Sequence, residues 1–125
     1  MTYYTSSKVE GILTGDTSNT SYDALIAQEG PYADTDVEND LYAYAGATPP
    51  FSGGDITTDV HAAADWRTAA RVALITRQIE LKKAFDEEYQ NVINRMVARF
   101  KATPTTRTKT VSVTSDYRSA PLSDE

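Results

Sequence analysis

Between Gly54 and Pro104 the chain contains neither glycine nor proline. No other feature restricts its fold as much, because nothing in that span obliges a helix to stop. Thr58 or Asp59 supplies a helix cap, and the spacing predicts a helix over Val60–Ala102, about 60 Å long at 1.5 Å per residue unless it breaks or kinks near the middle. Its two halves differ. Ala69-Ala70-Arg71-Val72-Ala73-Leu74-Ile75 is apolar almost all round, as in a helix touched on several sides, and its alanines let other backbones come close. Further on, Leu81, Phe85, Tyr89, Val92, Met96 and Phe100 form one stripe, while Lys82, Lys83, Asp86, Glu87, Gln90 and Asn94 face away. The pattern predicts a buried base carrying a projecting lever.

The residues ahead of this helix read as shorter ones. Ser7-Lys8-Val9-Glu10 matches a capping box, and with Gly15 as a stop it predicts a helix over Ser7–Thr14. Thr20-Ser21-Tyr22-Asp23 repeats the box and opens a helix over Tyr22–Glu29, which Gly30-Pro31 ends or kinks. Thr35-Asp36-Val37-Glu38 is a third box. Val37, Leu41, Tyr44 and Ala45 follow on one helical face, and Gly46 closes the segment. The loop that comes next, with Pro49-Pro50 and Gly53-Gly54, extends to Thr58. The expected fold is therefore mainly α, short N-terminal helices packed on one long helix. Residues 1–102 form the body, with a loop over 46–58, and residues 103–125 an extended C-terminal arm.

That arm opens at Thr103-Pro104, a step that disfavours further helix. Lys109-Thr110-Val111-Ser112-Val113-Thr114 is β-rich, with Val111 and Val113 on one face. A lone strand has no stability of its own, and the helical body offers no strand to pair with it. Either the arm has no partner in the free chain or the partner belongs to another chain, by strand addition.

Charge and composition narrow the functional classes. At 125 residues, 40% hydrophobic and 24% charged, the chain fits one folded domain. It has no cysteine, so disulfides and Cys-based zinc sites are excluded. The N-terminus lacks a signal-peptide pattern, and no apolar run approaches the roughly 20 residues that cross a bilayer, so a soluble chain is expected. Net charge is −6, but residues 1–60 hold one basic residue against ten acidic, and residues 61–125 eleven against eight. Copies could attract one another, acidic front to basic back.

Catalysis finds little support. His61 is the only histidine and reads as an exposed side chain in the first turn of the long helix. Asp34, Asp36, Glu38 and Asp40 suit a helix start better than a metal or an acid–base pair, because acids there complement the helix dipole. No phosphate-binding glycine loop is present, and the arm's one aromatic, Tyr117, is too few for a nucleic-acid stacking platform. No cofactor or metal is expected. Tyrosine makes up eight of the aromatic residues, including Tyr3, Tyr4, Tyr42, Tyr44 and Tyr117, and such side chains favour interfaces.

The short helices Ser7–Thr14 and Tyr22–Glu29, the segment PYADTDVENDLYAYAG, the helix DWRTAARVALITRQIELKKAF and the arm Thr103–Arg118 follow one another in a telling order. In that order the chain resembles the head–tail connector, or adaptor, proteins of tailed bacteriophages and related viruses. The Pro/Gly-rich loop at 47–58 and the length of the final helix depart from that pattern. The resemblance implies a non-enzymatic virion protein of the neck, present in host cytoplasm during assembly. It implies a ring, commonly of twelve copies, that meets the portal protein and downstream tail or neck proteins and lets DNA pass without specific recognition. Arg107, Lys109, Val111, Val113, Tyr117 and Arg118 would then meet the portal or a neighbouring subunit. Phe85, Tyr89, Val92, Met96 and Phe100 would pack subunit on subunit. The alternative is a small helical binding or regulatory module that dimerises through the Leu81–Phe100 stripe.

Overall fold

The stretch without glycine or proline folds as two helices rather than one rod. The computed structural model describes residues 2–51 and 54–102, and its regular structure there is entirely helical. α1 spans Ser6–Thr14, α2 Asp23–Ala45, α3 Gly54–Ile75 and α4 Ile79–Ala102. The arm, with Arg107, Lys109, Val111, Val113, Tyr117 and Arg118, lies outside the described residues.

The break falls at Thr76-Arg77-Gln78. Arg77 takes a left-handed conformation at φ 61°. Its N–H donates to the Leu74 carbonyl at 3.1 Å, and the Gln78 N–H donates to the Ala73 carbonyl at 2.8 Å. This is the Schellman closure that glycine usually makes, and here a residue with a side chain makes it at a cost of roughly 1–2 kcal/mol. The return is larger. α4 folds back along α3 and puts Tyr89, Val92, Ile93 and Met96 into one core with Leu41, Val60, Ala63 and Ala64. Full burial of a single such large apolar side chain contributes about 1.5–3 kcal/mol. The hairpin wins over the rod on that margin, and no lever projects.

α2 is likewise one helix where two were expected. Pro31 lies inside it. Proline removes a helical hydrogen bond and leaves the carbonyl four residues back without its donor. Pro31 and Ala27 are both exposed, so water can serve that carbonyl, while Ile26, Ala33, Val37 and Leu41 hold the buried side. Gly30 has a different reason to be there. A Cβ at this position would lie 2.4 Å from the Tyr4 ring, so the missing side chain is what lets the N-terminal segment press onto α2.

None of the three capping boxes caps a helix. Ser7 lies within α1, whose N-cap Thr5 makes no side-chain cap bond, and Glu10 accepts the Tyr22 N–H at 2.9 Å instead. α2 opens at Asp23 without a side-chain cap. Thr35 lies inside α2 and donates to the Pro31 carbonyl at 3.1 Å. The expected glycine stops do hold, for Gly15 (φ 79°) and Gly46 (φ 67°) end α1 and α2 in the left-handed region. α3 starts at Gly54, ahead of the expected Thr58 or Asp59.

α3 is the centre of the bundle and touches all three other helices. Its alanines at 63, 64, 69, 70 and 73 are buried, which is what close approach on several sides requires. A second core lies toward the α3–α4 turn, where Val9 and Ile26 meet Ala69, Val72 and Phe85. Trp66 and Tyr4 pack against both cores, and the Trp66 and Phe85 rings sit 5.8 Å apart.

Candidate interaction surfaces

The stripe offered to a neighbouring subunit is covered by the chain itself. Phe85, Tyr89, Val92 and Met96 are at most 7% exposed, and Phe100 is half-buried against Phe51 with ring centroids 6.3 Å apart. Leu81, at the start of the stripe, stays exposed. A dimer through Leu81–Phe100 loses its surface for the same reason, because the fold-back of α4 has already used it.

The charge complementarity between the two halves of the sequence is also met within one chain. Arg67 Nε reaches Asp36 at 2.8 Å and its Nη1 reaches Asp86 at 3.4 Å. Arg71 bonds Glu29 at 2.9 Å and Asp36 at 3.0 Å, and lies over the Tyr32 ring at 5.2 Å. Lys82 also pairs with Asp86, and the Tyr89 hydroxyl donates to Asp40. Burial pushes the Tyr89 phenol well above its ordinary value, and the Asp40 hydrogen bond adds to this. At the other end Asp59 accepts from Arg95 at 3.0 Å and Arg99 at 2.6 Å, which ties α4 to the first turns of α3. The acids read as a helix-start cluster are thus spread over separate structural partners.

The N-terminal segment is fastened by side chains on α2 and α3. Asp34 accepts the Tyr4 N–H at 3.2 Å, and Asp65 accepts the Thr5 N–H at 2.7 Å. His61 is half-buried rather than exposed, and its Nδ1 donates to the Tyr3 carbonyl at 2.6 Å. The Tyr3 hydroxyl donates to Glu38 at 2.6 Å, so the buried Tyr3 is a clamp residue, not an interface one. Burial raises the Asp65 carboxyl to about 6 and raises Asp34 also. Nothing in the sequence ties Asp65 or His61 to residues some sixty positions earlier. Their period on α3 marks them as neighbours of each other and no more.

Several surfaces remain open among the described residues. Beside the clamp, between α1 and the first half of α3, runs a groove of about 700 Å³. Ile12, Ala62 and Trp66 supply its apolar lining, and Lys8, Thr17 and Asp65 its polar groups. At the far end of α3, Leu74, Ile75, Ile79 and Leu81 are all exposed around the turn, Leu74 by half. On α2, Tyr32, Tyr42 and Tyr44 are exposed as well, so Tyr44 does not share the burial of Val37 and Leu41. Among the described residues no helix is long and apolar enough to cross a membrane, and no three His, Asp or Glu side chains are placed to hold a metal ion. Comparison with protein-family models, with curated proteins and with solved structures gives no match for this chain.

Proposed function

We propose that the chain is a structural, non-enzymatic assembly protein, a ring-forming head–tail adaptor that joins a viral portal to the tail and lets DNA pass through its channel. The observation that carries the reading is the large apolar side chains left outside at the α3–α4 turn, Leu74, Ile75, Ile79 and Leu81. Apolar residues gathered at one end of a small protein mark a contact with another protein. Exposed tyrosines on α2 add area of the kind interfaces favour.

The order of elements supports the same reading, with a short helix, a long helix, a loop and a helical hairpin in succession. The hairpin replaces the single long helix in that order. The arm beyond Ala102 would reach the portal or an adjacent copy. If the acidic first half lined the channel, it would repel DNA rather than grip it. Electron micrographs of assembled particles carrying a labelled copy of the chain test the assignment. The label is expected as a ring between head and tail, and particles that complete their necks without this chain would refute it.

A further inference from the structure

Two of the open surfaces of the described chain differ in shape, one convex and one concave. One is a knob, the aliphatic cluster around the α3–α4 turn with Arg77 at its tip. The other is the groove between α1 and α3, lined by Ile12, Ala62 and Trp66. Both belong partly to α3, and Ala62 lies thirteen residues before Ile75, about 20 Å along the helix. A chain therefore cannot place its own knob in its own groove.

Charge points the same way. The knob carries exposed Arg77 and Lys83 with one acid, Glu80. The groove contains Asp65, a buried carboxylate that accepts the Thr5 N–H at 2.7 Å and that Lys8 and His61 of the same groove also face. Asp16, between groove residues Gly15 and Thr17, adds an exposed carboxylate, and Lys8 offers a cation for Glu80. Arg77 is also the one non-glycine residue in a left-handed conformation among the described residues. Glycine would adopt that backbone without strain, so the position retains a side chain that the turn itself does not need.

We propose that the occupant of the groove is the knob of a second copy, with Arg77 directed at Asp65 and the aliphatic side chains against Trp66. Because knob and groove are different patches, the contact is head-to-tail, and repeated head-to-tail contacts close a ring when the rotation permits. The inference deepens the ring reading above and rests on it for closure.

The chain has no cysteine, so single thiols can be placed cleanly. Full-length Ile75→Cys and Ala62→Cys are mixed at the highest soluble concentration, oxidised, and weighed by mass spectrometry. A mixed dimer linked 75 to 62 is expected, well above either variant linked to itself. Its absence overturns the knob-in-groove contact, as does a dominant 75-to-75 link, which would mean tip against tip. Arg77→Gly is expected to keep or raise the melting temperature while weakening association at least about tenfold; unchanged association removes Arg77 from the contact and refutes the pairing. A chain carrying both cysteines separates the two readings. A ladder ending in closed rings supports both, and a closed doubly linked dimer keeps the contact but removes the ring. Oligomers on sizing that yield no 75-to-62 link leave the ring and discard these surfaces.

Discussion

Single residues here act mainly through what they let approach. Gly30 leaves room for the Tyr4 ring, and a Cβ would enter it at 2.4 Å. Gly30→Ala is therefore expected to destabilise the fold by about 1–3 kcal/mol despite the better helix propensity of alanine. With Tyr4→Ala already in place the same change should turn stabilising, and denaturant titration of the four chains checks the reversal. Asp65 acts through its charge. Its carboxyl is raised to about 6 by burial, against 3.8 ordinarily, so the folded state favours the neutral form. The stabilisation from that proton is complete below the unfolded value and is lost as pH rises through the folded one. Asp65→Asn removes the group. Its stability relative to the native chain should rise by about 2–3 kcal/mol between pH 4 and pH 6.5 and then level off. A difference that stays constant over that range would show Asp65 to be ionised throughout.

At the scale of elements, the hairpin decides most of what the protein can present to others. α4 spends its stripe on α2 and α3, so Met96→Ala should act on folding rather than association. A loss of about 2–5 kcal/mol in unfolding free energy is expected, with the self-association constant unchanged. A stable variant that no longer associates would return Met96 to the surface. The ends of α1 and α2 were legible in the sequence because Gly15 and Gly46 sit where only glycine is comfortable. The break at Arg77 was not, since neither the turn nor its neighbours contain the residues that announce one. Pro31 misled in the opposite sense. A proline whose lost hydrogen bond faces water costs too little to divide a helix that the core holds on its other side.

Across the whole molecule, the acidic and basic halves of the chain meet in partly exposed ion pairs between helices, through Asp36 and Glu29 with Arg67 and Arg71 and through Asp59 with two arginines. What stays exposed includes the aliphatic side chains around the α3–α4 turn and the tyrosines of α2. The four helices and the two described core clusters lie within residues 2–102, so truncation after Ala102 should leave helical content and cooperative melting intact. The shortened chain is expected to lose its attachment to the portal; undiminished attachment, measured by co-sedimentation, would assign that task to the helical body instead.

The sequence by itself determined that the chain is helical, where its glycines end two helices, and that an alanine-rich segment lies at the centre. Those features follow from local sterics and periodicity, which act within a few residues. Tertiary structure alone decided that the glycine-free stretch doubles back, that α2 runs through its proline, and which apolar side chains stay outside. Each of those outcomes weighs a local cost near 1–3 kcal/mol against several large side chains buried by residues far along the chain, and only the folded arrangement brings both sides of that balance together.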